Sequence, residues 1–451
     1  MAKVILPSSL KALLGGQTVI EIDAPSAGAV IAALERRHPG LKGWILDERG
    51  RLREHVSLFV NSRRALPDEP VSAEDELYVI QAISGGTGAR PEAAEGEAEL
   101  LVGTKKGLFL MRGERGAPMG VAHREFAGQV VEYACRDRRT GTYCAAVTHG
   151  QFGPHLYYAD DPEGEWHEAE GPSFPDGADA AVQRIWTVEP GEEEGVLWAG
   201  VAPAALFRSE DGARTWSLVR GLWDLPTRPE WEGGFGGLCL HSICPWPGDP
   251  ARLAVGISAA GVWITEDGGE SWRWGVEGLV PRYLPEEARE NTLMYCVHDL
   301  QRSPVEPTTL YMQFHGGVYR SDDAGETWSD IATDRGLPAD FGFPLLVDPR
   351  DPDRAFVIPM NADVDRVTAG GRLRVYETRD RGASWRALEK GLPQQQAFLT
   401  ILRQAFCHDG SHPLGLYFGA ESGELFGSAD GGQSWAIVSE HLPPILSVRC
   451  S

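Results

Sequence analysis

Short alternating runs of apolar and polar residues fill the first eighty positions. Lys3-Val4-Ile5-Leu6 and Thr18-Val19-Ile20-Glu21-Ile22 read as strands. Ala24-Pro25-Ser26-Ala27-Gly28 opens a helix whose residues Val30, Ile31, Leu34 and then His38 recur at helical spacing, and Pro39-Gly40 stops it. Val56-Ser57-Leu58-Phe59-Val60-Asn61 and Glu76-Leu77-Tyr78-Val79-Ile80 return to strand. The order strand, strand, helix, strand, strand predicts an α+β β-grasp domain over residues 1–86.

Residues 87–98 lose all periodicity and are small and acidic, the composition of an exposed linker. Beyond them a different pattern repeats. Five octads recur: Ser209 to Trp216, Thr265 to Trp272, Ser321 to Trp328, Thr378 to Trp385 and Ser428 to Trp435, with a degenerate sixth from Ala159 to Trp166. Each has an aspartate at its third position (Asp161, Asp211, Asp267, Asp323, Asp380, Asp430), and a period of this size signals a propeller or solenoid. Each octad sits between two strands, as in the unit Gln183–Val188, Val196–Val201, Ala205–Arg208, octad, Trp216–Val219. Innermost strands are expected near Val130, Gln183, Leu240, Met294, Phe343, Phe398 and Ile445. The strand pair within Leu100–Leu110 lacks an inner partner, and Ile445–Cys450 lacks an outer one, so the two should complete one blade. The prediction is an all-β, seven-bladed β-propeller over residues 99–451.

Two resemblances follow from these residues. His38-Pro39-Gly40-Leu41, Asp47 to Arg53, Phe59-Val60-Asn61, Asp75-Glu76-Leu77 and the di-glycine Gly85-Gly86 resemble the MoaD/ThiS family of ubiquitin-like sulfur carriers over all of residues 1–86. The resemblance implies a tail that an ATP-dependent, MoeB/ThiF-like adenylating enzyme activates and a sulfur donor converts to a thiocarboxylate. That chemistry needs a free carboxylate, whereas the Gly86 carbonyl is tied up in the peptide bond to Thr87, and the chain continues to residue 451. A processing protease cutting between Gly86 and Thr87 is therefore expected. The octads are similar to the Asp-box, or BNR, repeats of sialidase-like propellers, in which the carboxylate accepts turn N–H groups and the tryptophan packs on the hairpin.

A formal charge of -23 argues against nucleic-acid or anionic-membrane partners, which need clustered lysine and arginine. No apolar stretch approaches the ~20 residues that span a bilayer. Met1-Ala2-Lys3-Val4-Ile5 already reads as strand, so no signal peptide is expected. The 7 scattered cysteines form no disulfide framework, in keeping with a reducing, cytoplasmic location.

The octads occupy one face of the propeller, which leaves the other loop face for a ligand. Alignment on Pro190, Pro247 and Pro304 places Arg184, His241 and His298 at equivalent positions near the channel mouth. His149 and His315 fall in equivalent turns, where Lys105 and Lys106 also lie. Long loops add Trp223, Trp231, Arg282, Tyr283 and Asn291, and residues 361–371 add Asp363, Asp365 and Arg366. Imidazoles from adjacent blades could converge on a metal, with His241, His298 and His315 as candidates. Alternation along Cys239-Leu-His-Ser-Ile-Cys244 puts Cys239 and His241 on one face and Cys244 on the other.

The leading expectation is a sulfur-carrier precursor fused to a propeller that binds a partner or small ligand, with no catalytic residue of its own. An uncleaved scaffold with a degenerate carrier domain is the alternative. A sialidase-like propeller hydrolase ranks third, because the Phe-Arg-Ile-Pro signature is absent and the sequence places neither a Tyr–Glu nucleophile pair nor an arginine triad.

Overall fold

The computed structural model describes residues 2–6, 14, 19–42, 45–46, 56–61, 63–67, 69–73, 75–81, 96–234, 236–362 and 364–451. The chain divides into two compact units, Met1–Thr87 and Gly88–Ser451.

The first unit is a β-grasp. Its sheet runs Val19–Ile22, Ala2–Ile5, Glu76–Gln81, Val56–Val60, Arg63–Ala65, with Ala2–Ile5 parallel to Glu76–Gln81 and the other neighbours antiparallel. The short strand Arg63–Ala65 adds one element to the expected order. Helix Ala27–Arg37 starts where Ser26 accepts the Ala29 N–H and ends at His38, which caps it. Its buried stripe of Ala27, Val30, Ile31 and Leu34 packs on Val4, Ile20, Leu58 and Leu77 of the sheet. Gly85, Gly86, Thr87, the Asp47 to Arg53 segment and most of the expected linker lie outside the described residues.

The second unit is all-β and propeller-like. Among the described residues it holds seven four-stranded antiparallel sheets. Their first strands are Ile445–Cys450, Val130–Arg136, Arg184–Pro190, Cys239–Trp246, Val297–Arg302, Gly342–Val347 and Phe406–His408, here sheets I to VII. Each of these touches the first strand of the next sheet, and Phe406–His408 touches Ile445–Cys450. Sheet I joins distant chain segments: Val448 faces Val102 and Cys450 faces Leu100, and Glu97–Thr104 then pairs with Gly107–Glu114. Small residues in the second strands let neighbouring sheets close up. A Cβ on Gly200 would lie 2.5 Å from the Leu240 carbonyl oxygen, and one on Gly103 would lie 2.7 Å from that of Val131.

Two first strands begin later than the sequence pattern predicts. Thr292–Met294 forms a 3-10 turn, so the strand expected near Met294 starts at Val297. The strand expected near Phe398 starts at Phe406, because the backbone of 397–399 is bonded instead to the turn at 368–371.

In sheets III to VII the octads form the turns between third and fourth strands, held by their aspartates. Asp267 Oδ1 accepts the Thr265 hydroxyl at 2.8 Å and the Ser271 N–H at 2.9 Å, and Oδ2 accepts the Ser271 hydroxyl at 2.5 Å. Asp211, Asp323, Asp380 and Asp430 repeat this set. The two residues after each of these aspartates have positive φ, which Gly268-Gly269 meet without strain and Ala213, Ala324 and Arg381 adopt as well. Pro162 follows Asp161 and cannot take that conformation, which is why the sixth octad is degenerate.

Hydrogen bonds from the hydroxyl and N–H of Ser271 and from Thr265 depress the Asp267 carboxyl to about 2. Asp380 is lowered chiefly by the Ser384 hydroxyl. In Asp211, Asp323 and Asp430 burial pulls upward, but the same hydrogen bonds override it. A depressed folded-state pKa gives stability that is present above the unfolded value and lost as pH falls through the folded one. The urea midpoint should therefore hold above about pH 4 and fall toward about pH 2. Asp267→Asn should lower the midpoint at neutral pH and make the acid dependence shallower, as read by urea titrations across that range.

Candidate functional site

A β-strand alternates its side chains strictly until an extra residue is inserted. The first strands of sheets I to VI carry such a bulge. The pairing registers skip Leu446, Glu132, Trp186, His241 and His298 in sheets I to V, and Phe343 with Pro344 in sheet VI. Five of these residues, Glu132, Trp186, His298, Phe343 and Leu446, line one cavity of about 1190 Å³. In five of the six sheets the bulge re-aims one side chain toward a shared space.

The cavity wall is aromatic with charged groups set into it. Trp186, Tyr283, Phe341 and Phe343 supply the rings. Arg184 pairs with Glu132 and lies 3.9 Å over the Trp186 ring. Lys105 pairs with Glu421 at 3.3 Å. The Arg403 guanidinium lies 4.9 Å from the Trp186 ring centre and 5.5 Å from that of Phe343. Its buried Nε finds no acceptor among the described residues. Residues 233, 234, 236 and 237, all glycine, form part of the rim.

Of the residues singled out in the sequence, Arg184, His298 and His315 reach this cavity. His241 does not. It is 1 % exposed, its Nε2–H donates to the Val297 carbonyl at 3.0 Å, and its Nδ1 faces the Ser242 hydroxyl at 3.0 Å. Both nitrogens are engaged, so it is not placed to join His298 and His315 on a metal. Arg184 is not its counterpart either. Thr187 and Ser242 face the equivalent glycines, Gly200 and Gly256, so Trp186 matches His241, and Pro245 rather than Pro247 matches Pro190. The same bulge breaks the alternation assumed for Cys239 and His241, while the Cys244 thiol donates to the Leu300 carbonyl at 3.1 Å.

His149 bonds the Tyr157 hydroxyl at 3.0 Å, outside the cavity lining. Arg282 pairs with Asp330, and its neighbour Tyr283 faces the cavity instead. Lys105, Asn291 and Arg366 also line it, Trp223 and Trp231 do not, and Asp363 lies outside the described residues.

The sequence reading missed Cys296, Phe341 and Arg403. Cys296 precedes the sheet V strand by one residue, and its carbonyl accepts the His315 N–H at 3.0 Å. Donor atoms of Cys296, His298 and His315 lie within 4.8 Å of one another. The His298 Nδ1–H donates to the Gly342 carbonyl at 2.7 Å, and its ring lies 5.0 Å from that of His315. Burial, then the nearby Arg403, lowers the His298 pKa well below its ordinary value. Burial also pushes the Cys296 thiol up to about 11.

Burial, reinforced by Arg403, also drives the His241 pKa far down, and burial takes His408 to about 4. Both imidazoles should stay neutral from pH 8 down to pH 5, with Nε2 protonated in His241, as read by their ¹⁵N shifts.

Residues 4–86 match the family model described as the ThiS family. Small archaeal modifier protein 1 of Haloferax volcanii is 30% identical over 81 residues, which are 18% of this chain and 93% of that protein. The oligoxyloglucan-reducing end-specific xyloglucanase of Emericella nidulans is 27% identical over 222 residues, 42% of this chain. The match spans only 25% of that enzyme's length. Among solved structures, an ancestral GH74 enzyme is 15% identical with a TM-score of 0.46, covering 80% of this chain and 40% of its own. Through residues 4–86 the chain thus belongs to the ThiS family, and it carries that domain ahead of a β-propeller.

Proposed function

We propose that the chain is the precursor of a cytoplasmic sulfur carrier formed by residues 1–86. A protease cuts between Gly86 and Thr87, and an adenylating enzyme joins the new carboxylate to AMP from ATP with release of pyrophosphate. A sulfur donor then displaces AMP to leave a thiocarboxylate. One observation carries this reading: the family match runs to residue 86, the second glycine of the pair. The geometry is compatible with it. Glu76–Gln81 is the central strand, paired on both sides, so the tail departs from a fixed point five residues before Gly86.

The seven sheets, in this reading, are seven blades closed into one ring by the last strand. Their bulged residues shape a cavity for a small polar ligand, with aromatic faces to stack on it and Arg403 to meet an anionic group. In a lysate of the source cells the chain should yield a fragment ending at Gly86. Supplied with ATP, adenylating enzyme and sulfur donor, that fragment should gain about 16 mass units as sulfur replaces oxygen. If intact-mass measurement finds only uncut chain that never reacts, the uncleaved scaffold is the correct reading.

The xyloglucanase resemblance favours a second reading, hydrolysis of an oligosaccharide in the propeller cavity. Glycoside hydrolysis generally needs two carboxylates flanking the bond. Glu132 and Glu421 are held in ion pairs, which leaves Glu230 and Glu232 on the cavity rim. Under this reading, release of reducing ends from xyloglucan oligosaccharides is lost in Glu230→Gln and Glu232→Gln. No release by the parent protein removes it.

A further inference from the structure

Cys296, His298 and His315 come from three separate backbone features of sheet V. Cys296 stands before the first strand, His298 is the bulged residue within it, and His315 occupies the turn between Leu310–Phe314 and Gly317–Ser321. A backbone hydrogen bond ties Cys296 to His315, and the bulge turns His298 toward both. All three side chains border the cavity, and their donor atoms already lie within 4.8 Å of one another. Around a tetrahedral zinc the ligand atoms stand roughly 3.3–3.8 Å apart, given bonds of about 2.0–2.3 Å. A shift of about 1 Å in the side chains closes the set.

We propose that these three residues form a binding site for a thiophilic divalent ion of the Zn²⁺ type, with its fourth coordination position open to the cavity. Three protein ligands and an accessible fourth position are the arrangement of catalytic rather than structural zinc. The supporting contacts fit a ligand role. A carbonyl can only accept, so Gly342 fixes the His298 proton on Nδ1 and leaves the lone pair on Nε2. The Tyr283 ring lies 4.3 Å from that of His315, and the Tyr283 hydroxyl accepts the Cys296 N–H at 2.7 Å. Phe341 stands edge-on to both histidines, at 5.1 and 5.3 Å. These rings limit how far the ligands can swing.

The binding step is balanced simply. The Cys296 S–H bond breaks, the S–metal bond forms, and the proton leaves to solvent, so affinity should rise with pH. Each bound ion should therefore release one proton from this half-buried thiol, a stoichiometric signal. His241, bonded through both nitrogens, takes no part.

The test uses the full chain, stripped with a chelator and kept reduced. Zn²⁺ is titrated against a chromogenic competitor, and Co²⁺ is titrated while absorbance is recorded. The parent should bind one equivalent, and Co²⁺ should give a thiolate charge-transfer band with intense visible absorption. Cys296→Ser should abolish the band and weaken Zn²⁺ by about 100-fold or more. His315→Asn, in a turn, should weaken Zn²⁺ comparably while keeping the band. Cys244→Ala, which removes a thiol that donates to the Leu300 carbonyl away from the site, should change neither. Circular dichroism of the metal-free variants separates ligand loss from misfolding, and His315→Asn decides the matter if Cys296→Ser does not fold. Absence of a tight equivalent in the parent overturns the site, as does parental affinity in either ligand variant.

Discussion

A paired strand has only two faces, and on a propeller's first strands both are normally occupied by packing against the neighbouring sheets. Inserting one residue breaks two-fold alternation and gives the chain a side chain that belongs to neither face. Six of the seven sheets make this insertion in the first strand. Chemically different side chains occupy this position, and the ladder resumes on both sides of it. Glutamate, tryptophan, histidine, phenylalanine and leucine therefore meet around one space without disturbing the sheets that present them. His241 shows the limit of this freedom. It occupies the same position, but the Val297 carbonyl and the Ser242 hydroxyl capture its ring before it can reach the cavity.

Stability and chemistry are kept apart in this molecule. The octad aspartates are held by hydroxyl and N–H donors from their own turns, and none of them borders the cavity. A carboxylate so occupied is a poor proton acceptor. The groups with unusual surroundings, such as Cys296, His298 and Arg403, instead gather where the bulges and the long loops converge.

How much could be read in advance follows the range of the interactions. The octads are legible because the hydrogen bonds to their aspartates span at most four residues, so Thr265, Asp267 and Ser271, like their counterparts in the other octads, stand at a fixed spacing. The helix over Ala27–Arg37 is legible for the same reason, through Ser26 and its apolar stripe. The cavity is not local. Arg184 stood two residues from the true counterpart of His241, since two prolines, Pro245 and Pro247, offered themselves for alignment and the bulge was invisible. In the loop before sheet V the reading stressed Arg282, but the cavity receives Tyr283, whose ring lies tilted against His315 while Arg282 turns to Asp330. Arg403 and Phe341 gain meaning only from Trp186 and His298, brought close by the ring of sheets.

The pairing of Glu97–Thr104 with Ile445–Cys450 has a temporal meaning as well as a spatial one. A ribosome adds roughly 5–20 residues per second, so the partner strand is synthesised on the order of half a minute after the strand that awaits it. Throughout that interval Leu100, Leu101 and Val102 have one ladder edge unfilled. The β-grasp unit meets no such delay, as its strands all come from the first 81 residues. During translation, then, the β-grasp unit can reach its native form while the sheets that follow are still an open arc that needs protection from other nascent chains.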